Sequence, residues 1–280
     1  MSIYERTRKG SLSLIDTKRI HRFGALYVSE SRFKHMAKWL NGIITQAIAN
    51  PLLYLLSVGI GIGSLVDSNQ GAHGVDGVSY LTFLGPALLA STAIQGAIDE
   101  VVMPTLQGFK WNKNFFAMNS TPLTGKQIAN GVYIAALVRV AFTVTIYWII
   151  LFLFGALDAG TAWLAIAVAM LAGAAFGAMM LAIAGKVVKE DFFFSILGRF
   201  IIMPLFLFSG TFYPLSTMPI YLQPIGWISP LWHATELGRY FTYGHSISGL
   251  MLTAHISFLS FILIIGIRAA QNAYTKRLAK

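Results

Sequence analysis

The chain contains no cysteine. That excludes disulfides and thiolate metal sites and leaves the compartment open. Charge is scarce as well. Asp, Glu, Lys and Arg make up 11% of 280 residues, against about 25% in a soluble domain. No glycine-rich loop ending in Gly-Lys-Ser/Thr is present, so nucleotide hydrolysis by that route is excluded. The N-terminal region lacks a short apolar core followed by a small-residue cleavage site, so no cleaved signal peptide is expected. His21, His35, His73, His233, His245 and His255 are scattered, where a metalloenzyme needs ligands grouped at helical spacing.

What is present is hydrophobic: 56% of residues. Several apolar runs approach or exceed the roughly 20 residues of a spanning helix. Backbone groups in lipid must be satisfied within their own segment, which selects helices. The runs predict an all-α membrane protein with six transmembrane helices, near 42–66, 80–98, 128–154, 162–185, 192–208 and 249–267. Asp99 and Glu100 mark the expected end of the second. Residues 31–41 read as a basic amphipathic helix at the membrane surface, with Phe33, Met36, Ala37 and Leu40 on one face; the alternative is a solvated linker. The expected organisation is a cytoplasmic N-terminus with this interfacial helix over 1–41, a six-helix permease domain over 42–268 and a cytoplasmic tail over 269–280.

The net charge of +10 points to topology rather than nucleic acid. With the N-terminus inside, all Lys and Arg fall in inner segments except Arg139, Arg199 and Arg239. Cytoplasmic loops collect such residues, so both termini are expected in the cytoplasm of a multi-pass inner (plasma) membrane protein. Arg139 and Arg199 are the two ionisable residues expected within spans, each a functional candidate by position. Arg199 either snorkels to the inner interface or faces a polar cavity. Arg199, Met203 and Tyr213 are candidates for a substrate path.

Two connections are unusual. The inner segment from Phe109 mixes Phe109, Trp111, Phe115 and Phe116 with Lys110, Asn112 and Lys113. Exposed aromatics on a small loop suit a partner groove; the alternative is the headgroup belt. The outer segment 209–248 holds four prolines and is too apolar for a free loop. Short helices re-entering the outer leaflet are expected there, between spans 5 and 6. In "PLWHATELGR", His233, Glu236 and Arg239 fall at three-residue spacing, where they can pair. Span 4 carries Ala165, Ala169, Gly173 and Gly177, a small-residue stripe suited to close packing within one subunit.

"FSGTFYPLSTMP" and "SPLWHATELGR", together with "NPLLYLLSVGIGIG" and "NSTPLTGKQIANG", resemble the permease subunits of ABC-2-type transporters, in the lipo-oligosaccharide and drug-export branch. Pro230, Leu231, His233 and Arg239 match that signature position by position, and Glu236 lies within it. The resemblance implies a pore-forming transport subunit rather than an enzyme, moving an amphipathic substrate such as a lipid, a glycolipid or a hydrophobic drug. It implies partners: two ABC ATPase subunits, a second permease, identical or homologous, and membrane lipid. The chain itself would carry no cofactor, with ATP and Mg bound by the partner ATPase. Phe109, Lys110, Trp111, Asn112, Phe115 and Phe116 would couple to that ATPase. Pro230, Leu231, His233, Glu236 and Arg239 would form an outer gate. The alternative function is a membrane-embedded enzyme acting on a lipid, which requires clustered catalytic carboxylates or histidines.

Overall fold

The computed structural model of the chain describes residues 16–70, 74–188 and 192–279. The connection expected at Lys186 to Asp191 therefore lies partly outside the described residues. The helices are α1 (Thr17–Ala37), α2 (Leu40–Asn69), α3 (Tyr80–Trp111), α4 (Asn114–Asn119), α5 (Gly125–Leu153), α6 (Leu164–Lys186) and α7 (Phe193–Phe208). Then follow α8 (Gln223–Trp227), α9 (Pro230–Tyr243) and α10 (Gly249–Leu278). Among the described residues there is no β-strand, only an isolated pairing of Val75 with Val78.

Among the described residues five helices, α2, α3, α5, α6 and α10, are long and apolar enough to cross a membrane. The segment expected as a further span, α7, rises about 24 Å at about 1.5 Å per residue. That is less than the roughly 30 Å of a hydrocarbon core.

The centre of the bundle is α6, which packs against α3 and α10. Its small-residue stripe makes this possible: Ala165, Ala169, Gly173 and Gly177 are all buried. A Cβ added at Gly173 would stand 2.8 Å from the Ala93 carbonyl oxygen. Gly173→Leu should therefore cost about 1–3 kcal/mol through overpacking, read as a lowered unfolding temperature in lipid nanodiscs. Gly42→Ala, where a Cβ meets nothing within 4 Å, is the control. Equal melting of the two variants would contradict the packing.

Three expected boundaries need correction. The surface helix expected over 31–41 begins at Thr17 and ends at Ala37. Its buried side runs through Gly24 and Val28 rather than Ala37 and Leu40, which are exposed. It lies along α5: Gln127 Nε2 donates to the carbonyls of Ile20 and His21, both at 2.9 Å. The same Gln127 closes a capping box with Thr124 at the start of α5. Second, α3 continues past Asp99 and Glu100 to Trp111. Charge ended the expected span because an unpaired carboxylate is costly there; Glu100 is paired. Third, α10 passes Arg268 and reaches Leu278, so the expected tail from 269 is helical over most of its length.

Among the described residues three π-helical segments interrupt the bundle, at Leu55–Ile62, Gln107–Trp111 and Gly198–Ile202. Each lies within four residues of a proline: Pro51, Pro104 or Pro204. Proline lacks the N–H that would continue the regular ladder, and wider turns absorb the mismatch. By contrast α10 contains no proline and no π segment.

Candidate functional site

Polar groups gather at three levels of the bundle. The middle level is a cavity of 760 Å³ bounded by α2, α3, α5 and α7, with Phe176 and Met180 of α6 behind it and Ser229 and Leu231 closing one end. One wall carries Gln46 and Asn50 of α2 and Ser91, Gln95 and Asp99 of α3. Those positions repeat every four residues, which puts them on one helix face. The facing wall, from α7, is apolar and includes Ile202, Met203 and Phe206. The cavity thus offers hydrogen-bonding groups from α2 and α3 together with an apolar lining from α7.

At its lower end Glu100, 8% exposed, pairs with Arg139 of α5. Arg32 of α1 stands 3.9 Å from the other carboxylate oxygen. A cluster of two guanidinium groups around one buried carboxylate thus ties three helices together. Glu100 Oε2 and Arg32 Nε make no hydrogen bond within the protein. A second cavity, 590 Å³, opens beside them between α1, the start of α2 and α3. Gln46, Asp99, Glu100 and Arg139 line both. Sequence reasoning counted Arg139 and missed Glu100, its partner. The usable signal was the pairing itself: a lone arginine in an apolar run needs a carboxylate at matching depth.

The second level is the turn after α3. The expectation that its aromatics are exposed fails for Phe109 and Phe115, which are 3% and 2% exposed. Their rings meet edge to face at 5.1 Å, and both contact Tyr274 of α10. The Arg277 guanidinium lies 4.2 Å over the Phe109 ring. Thr105 Oγ1 and Tyr274 OH share a hydrogen bond of 2.6 Å. These contacts fix the turn to the end of α10 and leave Trp111 and Phe116 on the surface, 49% and 38% exposed. Lys110, Asn112 and Lys113 are exposed beside them, and Lys113 adopts a left-handed backbone at φ 52°.

The third level is the cap formed by 209–248. Pro230 occupies the first turn of α9, where its missing N–H has no partner to lose. Ser229 caps that turn by accepting from Leu231 N. His233 is buried: its Nε2 bonds to the Trp227 carbonyl at 2.9 Å and its Nδ1 to His255 Nδ1 of α10 at 2.7 Å. Burial pushes the His233 imidazole down to about 4. It is therefore neutral, with the Nε2 proton donated to Trp227 and Nδ1 accepting from His255. Arg239, 2% exposed, bonds to Glu236 at 3.1 Å and to the Gly210 carbonyl at 2.7 Å. Its guanidinium also lies 3.8 Å over the Phe83 ring of α3. The spacing therefore brings Glu236 and Arg239 together, while His233 turns to α10 instead.

The candidate path residues separate. Met203 lines the large cavity, whereas Arg199 and Tyr213 do not. Arg199 is exposed on α7, and Tyr213 OH donates to the Leu207 carbonyl at 3.3 Å. Leu231 of the cap is the signature residue that reaches the cavity.

Residues 32–243, from the ion-paired Arg32 through the end of α9, match the ABC-2 type transporter family. The chain belongs to that family. This ABC-2 protein is similar to Nodulation protein J of Rhizobium leguminosarum bv. viciae, 26% identical over 237 residues, covering 83% of this chain and 86% of that protein. It is also similar to Nodulation protein J of Rhizobium meliloti (strain 1021), 25% identical over 192 residues and covering 69% and 71%. Inner membrane transport permease YadH of Escherichia coli (strain K12) is 24% identical over 230 residues, 82% of each chain. The ABC-2 chain is thus the membrane subunit of a transporter, and membership implies an ABC ATPase as its partner.

Proposed function

We propose that the chain is the permease of an ATP-driven exporter that carries an amphipathic substrate out of the cytoplasm or the inner leaflet. The observation that carries this is the large cavity, with amides and hydroxyls on α2 and α3 facing the apolar wall of α7. A lipid, a glycolipid or a hydrophobic drug with a polar end satisfies both walls at once. Polar side chains at membrane depth are expensive unless they line a polar path, so this concentration of them supports a substrate route. Glu100, Arg139 and Arg32 beside the cavity are engaged with one another, and Asp99 accepts from Gln95, so transport is better supported than chemistry on a lipid.

The basic residues support both termini in the cytoplasm, which puts the turn around Trp111 inside and the cap outside. In this reading α7 makes the fifth of six crossings of the plasma membrane, helped by the apolar cap that follows it. Two ATPase subunits, which bind ATP and Mg, dock on the inner turns of two permeases, identical or homologous. Substrate leaves past the cap residues Leu231, Glu236 and Arg239.

Transport by the chain assembled with its ATPase tests the reading. Asn50→Leu with Gln95→Leu removes two of the five hydrogen-bonding groups of that wall, one from each helix, without introducing charge. ATP-dependent export of amphipathic lipid probes from vesicles should fall at least tenfold while the complex still forms. Unchanged export across lipid, glycolipid and drug probes would overturn the cavity as the path.

Coupling has a separate test. Trp111→Asp with Phe116→Asp alters the exposed pair and spares the buried Phe109 and Phe115. ATPase activity should lose its stimulation by the permease, with no change in the melting of the permease alone. Normal assembly and normal stimulation would remove this turn from the interface.

A further inference from the structure

His245 follows α9 and bridges two carboxylates from different parts of the chain. Its Nδ1 lies 2.6 Å from Asp76 Oδ2, in the connection between α2 and α3. Its Nε2 lies 3.5 Å from Glu236 Oε2 of α9. Tyr243 OH donates to the same Asp76 oxygen at 2.9 Å. Asp76 itself sits in a turn at φ 59°, a backbone rarely adopted by non-glycine residues. The cap is therefore tied to the first connection through one imidazole and the neighbouring Tyr243 hydroxyl.

We propose that the Asp76–His245–Glu236 bridge is a proton-operated latch that holds the cap to the α2–α3 connection. It rests on the permease reading, in which this end of the bundle faces outward and the cap is the exit.

The chemistry follows from the two ring nitrogens. Imidazolium carries two N–H donors, one for each carboxylate. Neutral imidazole keeps one, so a lone pair then faces either Asp76 or Glu236. Loss of one proton replaces a charge-assisted contact by repulsion. At 28% exposure of its side chain, His245 is accessible to protons from the aqueous side.

The surrounding charges favour the protonated form. Hydrogen bonding to Glu236 is the foremost cause that raises the His245 imidazole above its ordinary value, with the charges of Glu236 and Asp76 acting the same way against partial burial. Asp76 stands closer, but Glu236 is the more buried and so the less screened, at 16% against 28% exposure. For Glu236, burial alone would raise the carboxyl. His245 and Arg239 outweigh it and hold the group below its ordinary value. Other titratable groups facing the bridge are Tyr243 and Arg239 from α9, with His233 and His255 acting on Glu236. Burial raises the Tyr243 hydroxyl, so it stays a neutral donor to Asp76. His245 is thus the member that changes charge near neutrality.

The sign is fixed by the direction of the shift. A group whose value is raised in the closed form contributes fully below its ordinary value, near 6.5. The contribution is lost as pH rises through the raised value. Acid outside closes the latch, and alkali releases it.

The test uses the full chain in oriented vesicles, with spin labels at Val78→Cys and Tyr240→Cys. The native sequence has no cysteine to interfere. The short-distance population should fall at least threefold between external pH 5.5 and 8.5. His245→Gln should remove that response, and Asp76→Asn should move its midpoint to lower pH. An identical distance distribution at both pH values, or the native response in His245→Gln, would overturn the latch. A native response that follows only the pH on the cytoplasmic side would keep the latch and overturn the outward assignment of the cap. No substrate or ATPase is needed, so failure of the export reading does not affect the result.

Discussion

Glu100→Ala is expected to unfold the bundle more readily than any other single substitution in the cavity wall. Glu100 is 8% exposed and holds Arg139 directly, with Arg32 3.9 Å away. Removing the carboxylate leaves two guanidinium groups facing one another. Breaking a buried pair by removing one partner costs about 3–5 kcal/mol, because the surviving charge stays desolvated. Exposed pairs in the same chain, such as Lys34 with Glu30, are worth about 0–1 kcal/mol. Unfolding in nanodiscs should therefore separate Glu100→Ala from Glu30→Ala clearly. The decisive comparison is Glu100→Leu with Arg139→Met. If the pair is the source of the effect, the double variant is more stable than either single one. Additive losses would show that the two residues act independently, and the account of why α3 continues past its charges would fail.

Arg239→Ala should have the second largest effect. The side chain joins α9 to the Gly210 carbonyl, to Glu236 and to the Phe83 ring of α3. Loss of the guanidinium leaves that carbonyl unpaired and Glu236 with only His245 as a cation. A cost of about 3–5 kcal/mol is expected for so buried a partner. Arg239→Lys restores the charge but not the planar fork, so it should recover only part of the loss. Glu236→Ala alone should be milder, and the double variant less than additive. Melting curves for these four variants read the coupling directly. Full recovery in Arg239→Lys would mean that charge alone matters there.

The helices were legible because apolar runs bounded by Gly, Pro and charge leave few alternatives. The signature in α9 was legible for the same reason: "PLWHATELGR" pairs a proline start with polar residues at helical spacing. Reading failed where a polar residue is compensated by a distant one. Glu100 looked like a boundary because Arg139 lies 39 positions away. Phe109 and Phe115 looked exposed because Tyr274, which covers them, lies in a segment that reads as tail. His245 counted only as one of six scattered histidines, since its partner Asp76 belongs to another connection. Local spacing carries no information about such contacts, whereas the fold supplies them.

The unbroken course of α10 sets how force is transmitted. Its 30 residues extend about 45 Å at about 1.5 Å per residue. Near one end His255 is bonded to the cap, and near the other Tyr274 and Arg277 grip the turn at Phe109. The helices α2, α3 and α7 each carry a wide turn near a proline and have a place to yield; α10 has none. Together with α5 and α6, which pack on it and are likewise free of proline and π turns, it is the push-rod of the bundle: an axial displacement applied at Tyr274 is carried toward His255, while α2, α3 and α7 have places to flex.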